Sequence, residues 1–419
     1  MPFLFCVSIN LDMTVRILAA CAVVLFAACS SPEPEPTTIR PQVGYWRFAM
    51  ETGETPIPVN VHIDTTGTLT LLNGAEEVPT NDLMVCGDTT EVRISAYPSY
   101  LRYATTSATT ICGRWIDSAR SNYAVPFTGN FRGHNASDYP ALETGSDAYR
   151  VTFEPGSDDA YQAQGLFTPN NGQCAGTFLT ETGDYRFLQG SRTDAHMVLS
   201  CFDGAHLFFF EADVAGDSLQ NGVFLSGKHY QSTWEAVRDD AFTLTDPDSL
   251  TYVTNQDAFA FQALDAKGDM AAFDADTFAG KLTIVQIFGS WCPNCLDENT
   301  YYQDLHVRYA DRGLDIVPVA FERGDDFAQN VQHIQRQFDQ LGITYPFYIG
   351  GTASKSEASR VFSQLNRVIS FPTSVFISPE GEVLKIHTGF YGPGTGQAYT
   401  HYVAETEAFI EAHLPDPQP

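Results

Sequence analysis

Positive charge is scarce in this chain. Only 23 Lys and Arg stand against 51 Asp and Glu over 419 residues, a formal net charge of −28. Such a surface repels phosphate backbones and anionic lipid headgroups, so nucleic acid is set aside as a partner. An acidic exterior reads instead as a solvated, solubilising face. Metal-binding spacing is missing as well. His62, His134, His196, His206 and His229 are scattered, and the Cys-x-x-Cys of the C-terminal half has no second pair or close His-x-His to complete four zinc ligands. The N-terminal half also lacks any convincing 3.6-residue apolar period, which argues against helices there. What remains, 43% hydrophobic and 13% aromatic residues, is a globular composition, and the length suits two ordinary domains.

The N-terminus reads as an export signal. Arg16 supplies one early positive charge. The twelve uncharged, mainly apolar residues 17–28 are too few for a membrane-spanning helix but fit the core of a signal peptide. The following LFAAC resembles the lipobox of bacterial lipoproteins, with small Ala27 and Ala28 before Cys29, although Phe26 stands where Leu is usual. LAAC at Cys21 fits that consensus better but leaves almost no apolar run behind Arg16. The resemblance implies a start at Met13, a lipoprotein signal peptide over 1–29 and lipidation of Cys29. It also implies a periplasm-facing, lipid-anchored protein in the outer membrane, because Ser30 rather than Asp follows. A cleaved signal without lipid is the alternative. Residues 30–42, SSPEPEPTTIRPQ, form a Pro-rich tether.

Export changes the cysteine arithmetic. Of nine cysteines, Cys6 and Cys21 leave with the leader and Cys29 carries lipid, so six remain. In an oxidising compartment Cys86, Cys112, Cys174 and Cys201 allow three connectivities. Sequential pairing, Cys86 with Cys112 and Cys174 with Cys201, closes loops of about 27 residues, each stabilising by roughly 3 kcal/mol. Buried unpaired thiols are the other reading.

From 43 to 240 short runs such as VNVHI, TLTLL, EVRIS, YRVTF and HLFFF are separated by turn residues. This predicts an all-β sandwich or barrel. GYWRF at 44–48 is similar to the Gly-x-Trp opening of lipocalin-type barrels, and DTTGTLTLLNG (64–74) and TETGDYRFLQG (180–190) echo one another. No nucleophile with a base is visible there. From 252 to 419 strand-like and helical pieces alternate: LTIVQIF (282–288), a helix from 293 to 310, DIVPVAF (315–321), and a helix over 325–341 closed by Gly342. YPFYIG, a helical piece at 355–365, PTSVFIS, VLKIHTG and a closing helix near 400–413 follow. The pattern predicts an α/β domain. Pro318 cannot donate to a ladder, which predicts an edge position or a bulge for its strand.

This order of elements is similar to that of thioredoxin-like domains. GKLTIVQIFGSWCPNCLDE, the extra strand and helix between 345 and 365, and FPTSVFISPEGEV resemble the TlpA/ResA family of exported thiol-disulfide oxidoreductases. The first half resembles the β-rich domain that accompanies such domains in some Bacteroidetes proteins. The resemblance implies a redox-active cysteine pair with no other cofactor and no metal. It further implies disulfide-bearing periplasmic proteins as partners and a thiol reductant embedded in the membrane.

The residues around the pair suit thiol exchange. Cys292 falls at a helix N-terminus, where free N–H groups and the helix dipole favour a thiolate, and is the expected nucleophile. Cys295 is one turn deeper on the same face and is the expected resolving thiol. Pro293 fits the first helical turn, and Trp291 flanks the pair. Glu298 shares the face of Cys295, where a carboxyl of raised pKa accepts its proton; a surface glutamate is the alternative. Gln286 stands where thioredoxin has a buried aspartate, which increases reliance on Glu298. Pro372 in SFPTS matches the family's cis-proline loop, presenting the backbone of Phe371 to a substrate strand. A peroxidase would need Thr where Gly289 stands. The uncharged Pro-Asn between the cysteines favours a reductant or isomerase over an oxidant. The competing reading is an envelope binding or sensor lipoprotein whose β-domain holds a ligand or partner, with the redox domain auxiliary.

Overall fold

The computed structural model describes residues 39–415 apart from 54, 95, 136–144, 146 and 255–258. The signal peptide with Cys29, and residues 30–38 of the tether, lie outside the described residues.

Strict alternation of buried and half-buried residues, as in Gly44–Met50 and Ile57–Ile63, gives each strand one apolar face. The first eight strands are β1 (Gly44–Met50), β2 (Ile57–Ile63), β3 (Leu69–Asn73), β4 (Glu76–Cys86), β5 (Thr89–Ile94), β6 (Ser99–Ser107), β7 (Thr110–Asp117) and β8 (Tyr123–Gly133). Each pairs antiparallel with the next, and β8 returns to β1, closing a barrel. Trp46, Phe48, Trp115 and Phe127 fill its interior.

Nine more strands follow: β9 (Asp147–Phe153), β10 (Tyr161–Asn170), β11 (Gln173–Thr180), β12 (Gly183–Asp184), β13 (Leu188–Arg192), β14 (His196–Phe202), β15 (Leu207–Ala215), β16 (Ser218–Ser226) and β17 (Tyr230–Arg238). β10 pairs with both β9 and β11, so this sheet closes as well, with the two-residue β12 appended to β11. Phe153, Phe178, Phe210 and Trp234 pack its core. Where the alternation suggested one sandwich or barrel, the strands therefore close twice. A period of two says which face is buried, but not which strands pair to close a sheet. The echoed segments are not equivalent: the first enters β3, the second joins β11 to β13.

The third part holds α1 (Pro247–Leu250), β18 (Phe261–Asp265), β19 (Met270–Phe273), α2 (Ala275–Phe278), β20 (Leu282–Phe288), α3 (Pro293–Tyr309), β21 (Leu314–Glu322), α4 (Phe327–Leu341), β22 (Tyr348–Thr352), α5 (Lys355–Val361), β23 (Thr373–Ile377), β24 (Val383–Thr388) and α6 (Gln397–His413). The sheet order is β19-β18-β22-β21-β20-β23-β24, with β20, β21 and β22 parallel. All seven residues of β20 are buried, as a central strand covered on both faces requires. Gly342 ends α4 with φ 68°, a left-handed cap that glycine adopts without strain. The β18–β19 hairpin, α1 and α2 were not legible in the sequence.

β21 is central, paired with β20 and β22, and it meets the second alternative expected for Pro318, a bulge or irregularity: its ladder with β22 begins only at Val319 and shifts register between Ala320 and Phe321. One expectation is corrected here. The four cysteines of the β-rich half are all free. Cys86 on β4 and Cys112 on β7 are separated by β5 and β6, which at about 4.8 Å per ladder is roughly 14 Å, twice the reach of a bridge. Cys174 on β11 faces Gly190 on β13, and Gly190 faces Leu199 on β14, two residues from Cys201. An intervening strand again keeps the sulfurs apart. Burial pushes the Cys174 thiol up to about 12 and Cys201 well above its ordinary value, so both are unreactive core residues.

The linker ahead of β18 is anchored on the α/β part. Asp248 accepts from His387 Nδ1 (2.6 Å) and pairs with Lys385 (2.8 Å), both on β24. Thr388 Oγ1 donates to Thr251 Oγ1 at 2.7 Å. These contacts tie α1, which is N-capped by Asp246, to β24 of the α/β part.

Candidate active site

The C-terminal end of β20 feeds a tight turn, in which the Cys292 N–H donates to the Gly289 carbonyl at 3.1 Å, and α3 begins. Cys292 is the N-cap of α3. Its Sγ accepts the backbone N–H of Cys295 at 3.3 Å and donates to the carbonyl of Phe371 at 3.4 Å. An N–H aimed at sulfur from the first helical turn stabilises a thiolate. Pro293 occupies the first helical position, where no N–H is required. The Phe371–Pro372 peptide bond is cis, which brings the Phe371 carbonyl beside the pair. Cys295 is fully buried, and burial, then the neighbouring Cys292 sulfur, push its thiol well above the ordinary range. The two cysteines are thus differentiated by depth: Cys292 keeps a 6% exposed edge and Cys295 none.

Glu298 lies below them with no exposed surface. Gln286 Nε2 donates to its Oε2 at 2.7 Å and Ser374 Oγ to its Oε1 at 3.1 Å. Burial raises its carboxyl to about 7 against these bonds, which lower it. Its charge bears on Cys295, raising that thiol further. Gln286, which replaces the aspartate of thioredoxin, therefore acts as a fixed donor to the glutamate rather than as a second titrating group. Sequence reasoning placed Cys292, Cys295, Glu298, Pro372, Pro293, Phe371 and Trp291 together, and the fold does bring them to one place. The Trp291 indole donates to the Phe321 carbonyl at 2.8 Å and meets the Phe371 ring edge-on at 5.7 Å.

The Redoxin family pattern matches residues 253–399. Residues 253–399 form a redoxin domain. Among curated proteins the chain is similar to the thiol-disulfide oxidoreductase ResA of Oceanobacillus iheyensis, 24% identical over 131 residues, covering 31% of this chain and 62% of that one. It is similar also to ResA of Halalkalibacterium halodurans, 26% identical over 110 residues, covering 26% of this chain and 55% of that one. The chain thus spans less than two thirds of the length of these relatives. Among solved structures, a thiol:disulfide interchange protein of the thioredoxin family from Chlorobium tepidum is 22% identical, with a TM-score of 0.27, covering 36% of this chain and 93% of that one.

Several residues around the redoxin-domain site were missed by sequence reasoning. Glu322, at the end of β21, accepts from Ser290 N and Ser290 Oγ, each at 2.7 Å, and so fixes the turn before Cys292. Arg323 lies over the Trp291 ring, 4.4 Å from its centroid. From the β-rich half, Asp184 accepts from Asn294 Nδ2 at 2.9 Å and from the Gly392 N–H at 2.7 Å. Arg186 donates to the Pro293 carbonyl at 3.1 Å and to Asp297 at 2.6 Å, while pairing also with Glu76 and, at 3.3 Å, with Asp203. One buried guanidinium thereby joins both barrels to the Cys-x-x-Cys helix. Burial outweighs Arg186 at Asp297 and pushes that carboxyl up to about 7. The sequence signal for this contact was faint: an arginine inside a strand-like run, and a loop with four glycines at 389–396.

Proposed function

We propose that the chain is an exported thiol-disulfide oxidoreductase that reduces protein disulfides through Cys292 and Cys295, with no cofactor beyond that pair. The observation that carries the reading is the N-cap position of Cys292. Its sulfur faces the Cys295 N–H and the backbone beside a cis proline, and a second, buried thiol lies one turn away. The Cys292 thiolate attacks one sulfur of a substrate disulfide. A new S–S bond forms between them and the other substrate sulfur leaves as a thiolate, which takes a proton from solvent. Cys295 then passes its proton towards Glu298 and attacks Cys292, releasing the second substrate thiol. The substrate gains two electrons and two protons, and the enzyme is left with a Cys292–Cys295 disulfide. A dithiol partner, proposed to be embedded in the membrane, must restore the pair.

The reductive direction is supported by what surrounds the pair. The Pro-Asn between the cysteines carries no charge and the chain is strongly acidic, so beyond the Cys295 N–H and Arg323, which lies over the Trp291 ring, the thiolate has few of the donors and cations that stabilise it in strong oxidants. A ligand-binding role for a barrel lumen finds no comparable support, since large side chains pack both interiors. Cys295→Ser should trap substrates as mixed disulfides on Cys292, and Cys292→Ser should abolish exchange with any disulfide. Exchange persisting in Cys292→Ser sinks the assignment.

A further inference from the structure

The redox site is covered from the β-rich half of the chain. Residues 180–186, between β11 and β13, run across the redoxin domain. The Tyr391 hydroxyl donates to the Thr180 carbonyl at 2.9 Å, and Ser370 Oγ, two residues before the cis proline, donates to the Thr182 carbonyl at 2.7 Å. Asp184 and Arg186 add the bonds to Asn294, Gly392, the Pro293 carbonyl and Asp297 described above. The loop at 389–396 is shaped for this segment. A Cβ on Gly389 would lie 2.8 Å from the Thr182 carbonyl carbon, and one on Gly394 would lie 3.0 Å from that of Arg186. Leu296, beside Cys295, packs against the core of the first barrel. The outward groups of the first turn of α3 are thus occupied by the barrels, and Cys292 is left 6% exposed. The remaining approach runs past half-buried Trp291 and Phe371, with Arg323 exposed beside them.

We propose that segment 180–186 is the specificity element of the redox site: while seated it admits a small disulfide or a single extended strand past Trp291 and Phe371, and excludes the disulfide of a folded protein. The inference rests on the thiol-exchange reading above. Attack on a disulfide needs the three sulfurs nearly in line, so a folded substrate must bring the surface around its disulfide against the mouth of the site. With the segment seated, that surface collides with residues 180–186 and with the 389–396 loop. The seat is made largely of hydrogen bonds and ion pairs, and polar interfaces between domains permit relative motion more readily than apolar ones. Lifting the segment therefore opens the site to larger substrates without unfolding either part.

The test measures alkylation of Cys292 in the reduced full-length chain, followed by peptide mass mapping so that Cys86 and Cys112 do not interfere. A small reagent, iodoacetamide, is compared with a polyethylene-glycol maleimide, and each rate is divided by that of a free cysteine peptide. Two variants loosen the seat differently. Arg186→Gln removes the cation, and Gly394→Val wedges the segment from below while leaving every charge in place. The wild-type chain should discriminate against the bulky reagent, and each variant should reduce that discrimination by roughly tenfold, equivalent to about 1.4 kcal/mol of opening free energy. In Gly394→Val, reduction of a folded protein disulfide should accelerate in step, with reduction of oxidised glutathione little changed. Equal normalised rates for both reagents in the wild-type chain would overturn the proposal. So would discrimination that survives in Gly394→Val when that variant retains the wild-type circular dichroism. If alkylation behaves as expected but no variant exchanges a disulfide, the seal stands and the catalytic reading fails.

Discussion

Glu298 is the residue on which pH dependence should turn. Its carboxyl is raised from 4.5 to about 7 by burial, so it becomes a base only as the pH passes that value. Decay of the mixed disulfide on Cys292 should accelerate through pH 7 and then level off. Glu298→Gln should flatten that profile and slow the decay roughly ten- to a thousandfold, below the full 10² to 10⁴ that general-base assistance typically contributes because solvent can still take the proton. Alkylation of Cys292 should barely change. Stopped-flow traces against pH decide this; slower alkylation with unchanged decay would make the glutamate a tuner of the nucleophile instead. The same shift carries a stability consequence. A carboxyl whose folded value exceeds its unfolded one contributes stability that is complete below about 4.5 and is lost as pH rises through about 7. The loss is about 3 kcal/mol for a shift of this size. Glu298→Gln should therefore melt at a higher temperature than the wild-type chain at pH 8, with the gain vanishing below pH 4.5. Calorimetry across that range is the check.

At the scale of elements, the central strand and the two long helices of the redoxin domain were legible because their signals are local. Seven consecutive apolar or buried residues in β20, an apolar period closed by glycine in α4, and Cys-Pro at the start of α3 each act within one turn or one strand. The β18–β19 hairpin was not legible. Its strands are only five and four residues long and depend on β22, far along the chain, for their register. α1 was missed for a similar reason, being four residues held by His387 and Lys385. A practical consequence follows for dissection of the chain. A fragment beginning at Asp246 should fold and reduce a small aromatic disulfide, whereas one beginning at residue 257 loses the Asp248 and Thr251 contacts and should unfold at lower denaturant. Urea titrations of the two fragments separate the outcomes, and equal midpoints would show that the α1 anchor contributes nothing.

For the whole molecule, export and lipidation of Cys29 are proposals that intact-mass measurement of the native protein tests directly. A diacyl or triacyl increment on a chain starting at Cys29 is expected, and a mature form beginning elsewhere without lipid removes the anchor. By itself the sequence determined what short-range physics can encode: a strand-only half, an alternating α/β half, and a thiol pair at a helix start with an acid one turn further. Tertiary structure alone decided that the strands close into two barrels, that neither Cys86 and Cys112 nor Cys174 and Cys201 can bridge, and that Arg186 sits over the redox helix. Three partners of Arg186, Glu76, the Pro293 carbonyl and Asp297, are 107 to 111 residues distant in sequence, and nothing in the local pattern around DYRF distinguishes a guanidinium that will be buried among carboxylates from one that will face water. Periodicity specifies which face of an element is apolar; which two faces meet is settled only when the whole chain has packed.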